Sequence, residues 1–246
     1  MKKKQNIQYS YYRIRKAIGL LGILLPVLVV AAYGDFLPSI SHYYYTRSAV
    51  FFIATLFAFG LFLVSYKGYE RDEDTEKISD NWITHIAGIA VLIVVLFPTS
   101  CVENSHMICG LCEEYGFPLF GHNKQWVSTI HLLSAAVFLF AMGYMSVCRF
   151  TKTYLDKDAL KRDRKKRNRN KLYRICGWIV WIALAILVVE FAVQYFFYPR
   201  FYLTHSDVFI LETTAVFAFG VSWLIKGETI KDIIGLKTRM LGSRPK

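Results

Sequence analysis

Six long apolar blocks, parted by short polar or charged segments, dominate this 246-residue chain. A bilayer core needs about 20 apolar residues per helix, and lipid offers no partner to an open backbone N–H or C=O. Blocks of this size are therefore expected as helices, over about Ala17 to Tyr33, Ser48 to Tyr66, Ile83 to Phe97, Val127 to Cys148, Leu172 to Phe197 and Val208 to Ile225. The third is short and is expected to tilt little or to begin earlier. A soluble domain with the same 54% hydrophobic content would spread its apolar residues at helix or strand period instead of gathering them. Much of the Tyr and Trp lies at block edges, where amphipathic rings settle at an interface. The fold class expected is all-α: a polytopic bundle of six transmembrane helices, one membrane domain over residues 1–246. No Gly/Ser linker or soluble second domain is visible.

Lys2, Lys3, Lys4, Arg13, Arg15 and Lys16 precede the first block, as in a signal peptide. The block lacks a small-x-small cleavage site and carries Pro26 in its middle, so it reads as a retained span. Assigned to alternate sides of six spans, 27 Lys and Arg fall on one side and only Arg47, Lys124 and Arg200 on the other. Cytoplasmic loops carry the excess of cations, which predicts both termini in the cytoplasm, in a membrane of the bacterial inner (plasma) type. The net charge of +12 would suit nucleic acid, but its cations lie beside apolar spans and on one side. That placement reads as a topology signal and a contact for anionic lipid, with no nucleic acid expected as a partner.

The cytoplasmic loop 149–174 holds the densest run, Lys161 to Arg169. It reads either as a solvated topogenic segment or as a polybasic patch for anionic head groups, each cation near the surface contributing about 1 kcal/mol. The acidic stretch Glu70 to Glu76 lies on the same side. Phe57-Ala58-Phe59-Gly60 in the second span and Phe217-Ala218-Phe219-Gly220 in the sixth echo one another. They are either a relic of a repeat or two helices that each need a small residue for close packing, and Gly faces also admit a homo-oligomer.

Ionisable side chains inside spans are costly and so point to function more strongly than loop charges. His131 on span 4, Glu190 on span 5 and Glu212 on span 6 fall roughly 5 to 11 Å below the outer surface, at a rise of about 1.5 Å per residue. Ser128 shares the His131 face three residues earlier, and Ser41 and His42 lie in the outer loop above. A cavity lined by His131, Glu190, Glu212 and Ser128, with Ser41 and His42 as a lid, would bind a polar lipid or a metal, or transfer protons. The bland alternative is that these groups only fix helix packing. Candidate catalytic residues are His131, Glu212, Ser41 and His42. No two histidines are four residues apart, so a zinc site would need ligands from separate helices, and no metal is expected. No G-x-S-x-G, Walker loop or dinucleotide fingerprint occurs, and no cofactor is expected.

The extracytoplasmic loop 99–126 carries Cys101, Cys109 and Cys112. In an oxidising space one disulfide is expected, Cys101 with Cys109 or Cys112, leaving an odd thiol. A Cys109-x-x-Cys112 redox pair and a metal site with His106 or His122 are the alternatives. Cys148 and Cys176, near the cytoplasmic face, are expected reduced.

Leu37-Pro38-Ser39-Ile40-Ser41 after span 1, a Phe-rich span 2 ending at a basic residue, a His opening span 4, and Glu212 followed by Ala215-Val216-Phe217-Ala218-Phe219-Gly220 form a pattern. It resembles the six-span family of the damage-regulated autophagy modulators (DRAM), Sfk-type plasma-membrane proteins and a factor that remodels GPI-anchor lipids. The likeness spans roughly residues 17 to 226; the Cys-bearing loop and the long basic loop depart from it. It implies a role tied to membrane lipid, without a settled catalytic mechanism. Binding, sensing or remodelling of a polar lipid is thus the leading expectation, with a metal- or Ser/His-dependent lipid hydrolase and a proton- or ion-linked transporter as rivals.

Overall fold

The computed structural model describes residues 2–68, 78–101, 119–121, 124–152, 163–196 and 207–227. Among these the chain is all-helical. The helices are α1 (Lys2–Tyr33), α2 (Ala49–Val64), α3 (Asp80–Leu96), α4 (Gln125–Tyr144), α5 (Arg164–Phe196) and α6 (Asp207–Lys226). A 3₁₀ segment, Ile40–Tyr45, lies between α1 and α2, and α4 runs on as a π-helical turn, Met145–Arg149. The regions of α1, α4, α5 and α6 are long and apolar enough to cross a membrane, while α2 and α3 are apolar but shorter, at 16 and 17 residues.

The helix ends follow from local chemistry. Gly34 stops α1 by taking φ +93°, its amide turning back to the Val30 carbonyl at 2.7 Å; that left-handed conformation is open to Gly at no steric cost. Ser79 caps α3, its Oγ accepting the Trp82 N–H at 3.3 Å. Pro98 follows the last residue of α3's final turn and holds Phe97 in an extended conformation, φ −113° and ψ 93°.

Each helix packs on its neighbours in the chain, and α6 closes on α1, so the six form a ring. Glycines set three of these contacts. A Cβ on Gly220 (α6) would stand 2.8 Å from the Gly19 carbonyl (α1); one on Gly88 (α3) would meet the Gly60 carbonyl (α2) at 2.8 Å; one on Gly177 (α5) would meet the Gly143 carbonyl (α4) at 2.9 Å. Gly60 and Gly220 are the glycines of the two Phe-Ala-Phe-Gly echoes, and close packing accounts for both.

The ring's centre is filled by aromatic side chains. Phe59, Phe138 and Phe219 converge from α2, α4 and α6 with centroids 5.2 to 6.0 Å apart. Beyond them Trp223 packs against Tyr66 and Phe150, and Tyr173 against Phe150. The outward faces stay apolar: Phe57, Leu61, Ile89, Leu133, Phe140, Ile182, Ile186 and Ile210 are all exposed. Apolar side chains both inside and outside a helix ring are what a lipid surround requires.

The two ends differ. One end holds cations among rings: Arg15 donates to the Tyr66 hydroxyl at 3.2 Å, Lys226 stands 5.3 Å over Phe150, and buried Arg149 pairs with buried Asp80. Ser222 donates to Ser146 at 2.9 Å beside them. The basic run begins beyond the described residues and enters α5, where Arg164 to Arg169 are helical; the acidic stretch 70–76 is outside the described residues. The other end carries the 3₁₀ segment and the candidate site.

Candidate functional site

At this end the segment between α1 and α2 is folded down onto the bundle. The Tyr43 hydroxyl donates to the Asp35 carbonyl at 2.7 Å and accepts the Leu37 N–H at 3.2 Å. Tyr45 donates to the Thr99 carbonyl at 2.6 Å, tying the segment to the chain just after α3. Ser48 donates to the Val29 carbonyl at 2.8 Å, and Arg47 donates to the Tyr33 carbonyl at 2.7 Å, satisfying one of α1's terminal acceptors. Ile40, Tyr43, Tyr44 and Tyr45 are buried in consequence. The Tyr43 phenol, outside the helices, is pushed up to about 12, chiefly by burial, with the Leu37 amide pulling the other way.

The pinned segment presents Ser41 to His131. Ser41 Oγ lies 2.9 Å from His131 Nε2, and His131 Nδ1 lies 2.7 Å from the Phe97 carbonyl oxygen. A carbonyl only accepts, so Nδ1 carries the hydrogen; in the neutral ring Nε2 then accepts the Ser41 O–H. The Phe97 carbonyl is available because it is a helix-terminal acceptor, set aside by Pro98. His131 is itself buried, at 3% exposure. Glu212 Oε2 accepts the Ile40 N–H at 2.6 Å. That amide opens the 3₁₀ segment and has no partner within it, so a carboxylate is a suitable acceptor there.

Two cavities meet at Glu212; Ser41 lines the smaller of them, and His131 stands behind Ser41, lining neither. The first, about 70 Å³, has Ser41 and Glu212 as its polar lining and Leu25, Ile40, Phe52, Leu56, Val91, Val94, Phe138 and Val216 elsewhere. The second, about 180 Å³, lies between α4 and α5 against Leu132, Leu184, Leu187, Val188 and Phe191. Ala135, Leu139 and Glu212 line both. A dry apolar void of about 150 Å³ is known to accept a benzene-sized guest, so the larger one has room for hydrocarbon.

Of the residues singled out in the sequence, Ser41, His131 and Glu212 come together. His131 and Glu212 share no hydrogen bond; they meet through consecutive residues, one holding the Ser41 hydroxyl and the other the Ile40 amide. Ser41 is a member of the site itself instead of a lid over it. His42 pairs with Ser39 Oγ at 2.6 Å. Ser128, half-buried one turn before His131, makes no side-chain hydrogen bond among the described residues. Glu190 is buried but lines neither cavity, and its Oε2 has no hydrogen-bond partner among the described residues. Among the described residues no three His, Cys, Asp or Glu side chains gather as metal ligands. Cys109, Cys112, His106 and His122 lie outside the described residues, so the expected outer-loop pairing does too. No disulfide joins two described cysteines, and Cys148 and Cys176 are free thiols.

Two features escaped the sequence reading. The Phe97 carbonyl is a backbone group, and Pro98 after an apolar run is the one signal that pointed to it. The buried Asp80–Arg149 pair was hidden because both residues sit at block edges, where charges read as loop residues; the Ser79 cap before Asp80 placed it on a helix. Comparison with protein-family models, with curated proteins and with solved structures finds no match for this chain.

Proposed function

We propose that this chain is a six-span integral membrane protein, with both termini cytoplasmic, that binds and remodels a polar lipid at the outer-leaflet end of its helix ring. One observation carries the reading: Ser41, hydrogen-bonded to His131, and a carboxylate, Glu212, face a small apolar cavity, and Glu212 also faces a larger one. A polar group set against an apolar void matches an amphiphile, whose head group needs hydrogen bonds and whose chain needs hydrocarbon. The DRAM/Sfk resemblance leans the same way. The basic end, with its cations among aromatic rings and the helical Arg164 to Arg169 run, suits anionic head groups of the opposite leaflet. A transporter needs a wet path through the ring, and the Phe59–Phe138–Phe219 cluster interrupts one. The disulfide expected in the 99–126 loop belongs to the same topology, which places that loop outside.

Native mass spectrometry of the protein, purified in mild detergent, tests this. Wild type is expected to carry about one phospholipid per chain. Ala135→Phe, which fills the junction of the two cavities, is expected to lose it. Wild type free of lipid, or Ala135→Phe retaining the same complement, would refute the proposal.

A further inference from the structure

We infer that Ser41 is the nucleophile of an acyl transfer from an ester-linked lipid, with His131 as its general base; the inference rests on the lipid-handling reading above. A serine hydroxyl is a weak nucleophile until a base takes its proton, and the diagnostic geometry is a serine and a histidine within about 2.6–3.2 Å with the far ring nitrogen held by a third group. All three parts are present. Ser41 Oγ is 2.9 Å from Nε2, Nδ1–H is anchored 2.7 Å from the Phe97 carbonyl, and the three residues come from the 3₁₀ segment, α4 and the end of α3. The anchor fixes the tautomer that leaves Nε2 free to accept a proton. Packing alone also asks a buried imidazole to have both nitrogens hydrogen-bonded; what points to catalysis is that the hydroxyl on its basic nitrogen belongs to a residue lining a cavity.

The substrate class follows from where the hydroxyl sits. Ser41 lies at the polar head of an otherwise apolar cavity. In an acylated lipid the group at the junction of hydrocarbon and head is the ester carbonyl. A chain seated in the larger cavity, with its head end passing Ala135, Leu139 and Glu212 into the smaller one, therefore brings that carbon to Ser41. Attack forms the Oγ–C bond as the Ser41 proton passes to His131 Nε2. Collapse of the tetrahedral intermediate breaks the carbonyl carbon–alkoxide bond, and Nε2–H protonates the departing oxygen. The acyl group is left as an ester of Ser41. Water, or the hydroxyl of a second lipid, then attacks that ester, giving its proton to Nε2, which returns it to Ser41 Oγ. No oxidant, reductant or metal enters the balance. Glu212 acts as a positioning residue: its bond to the Ile40 amide holds the residue next to the nucleophile.

An alkyl fluorophosphonate, which phosphonylates activated serines, is the probe, used on the full chain in phosphatidylglycerol/phosphatidylethanolamine nanodiscs. Intact mass and peptide mapping are expected to find one adduct, on Ser41, in wild type and none in Ser41→Ala. His131→Gln is expected to slow labelling about 100-fold or more, the range for loss of a general base. Wild type that binds lipid by native mass spectrometry yet takes no adduct on Ser41, or that labels undiminished in His131→Gln, overturns the acyl transfer and leaves lipid handling intact. Wild type that binds no lipid overturns the reading beneath it, and the inference falls with it.

Discussion

Glu212 is a carboxylate on a span whose other side chains are mostly apolar, and its one hydrogen bond among the described residues is to the Ile40 amide. Replacing it by Leu leaves that buried N–H without an acceptor, at a cost of about 1–3 kcal/mol. Gln keeps a carbonyl oxygen at the same reach, so Glu212→Gln is expected to unfold within about 1 kcal/mol of wild type and Glu212→Leu well below it. Denaturation midpoints in detergent check this; equal midpoints for the two variants would show that the carboxylate is not holding the segment. Tyr43 gives a second test on the same segment. Its phenol keeps its proton to about pH 12 in the folded chain, against about 10 when unfolded. Between those values the unfolded state binds fewer protons, so the stability from Tyr43 is whole below pH 10 and is lost as pH rises towards 12. In an alkaline absorbance titration Tyr43→Phe is expected to lack one late tyrosinate step, and an unchanged profile would contradict the burial argument. At this scale the sequence singled out Ser41, His131 and Glu212, which the fold brings together, and missed their joinery. Depth along a helix can be counted from residue spacing, which brought out His131 and Glu212. That Ser41 reaches His131 depends on Tyr43, Tyr45 and Ser48 pinning the segment to distant backbone carbonyls, which no local pattern encodes.

Helices were the most legible elements because burial in lipid forces a long apolar run to be helical throughout. The expected blocks and the observed helices differ mainly where a helix outlasts its apolar run. α5 begins at Arg164 and α1 at Lys2, since cationic residues are good helix formers and a helix need not stop where hydrocarbon does. α3 begins at Asp80, three residues before its block, because Ser79 caps it there. The pairing of glycines across helices was only half legible: the Phe-Ala-Phe-Gly echo marked Gly60 and Gly220 without naming Gly88 or Gly19 as their partners. Gly220→Ala puts a methyl 2.8 Å from the Gly19 carbonyl and 3.2 Å from the Ile23 amide, both backbone, so α1 and α6 must separate. Overpacking of this kind costs about 1–3 kcal/mol, enough to outweigh the gain of about 1 kcal/mol in helix propensity at the upper end of that range. The variant is expected to denature earlier than wild type; a midpoint unchanged or raised would mean the helices relax apart freely. The 99–126 loop carries its own expectation. Intact mass with and without reductant, after alkylation, is expected to show two of Cys101, Cys109 and Cys112 protected, and three freely alkylated thiols would end the disulfide.

As a whole molecule the chain is a ring in which sequence neighbours are spatial neighbours and α6 returns to α1. Ring order was not written in the block pattern; it comes from short connections and from the glycine contacts, which decide which faces approach. Polarity between the two ends was legible, because it is set by charges and not by packing. The site end holds Ser41, His131 and Glu212, and the opposite end holds Arg15, Arg149, Lys226 and the helical basic run. Lys and Arg resist translocation, and with six spans the expected division of 27 to 3 between the two sides favours one orientation. The basic end is therefore expected in the cytoplasm and the site in the outer leaflet. Lys165, exposed on the first turn of α5, and Lys124, exposed just before α4, report on the two sides. In intact cells an impermeant maleimide is expected to label Lys124→Cys at once and Lys165→Cys only after permeabilisation, each in a background with the five native cysteines replaced. The reverse pattern would invert the molecule. It would move the Ser41–His131 pair to the inner leaflet, where its lipids would be those of the cytoplasmic face, and it would set the 161–169 run outside, against the charge rule that orients every other loop.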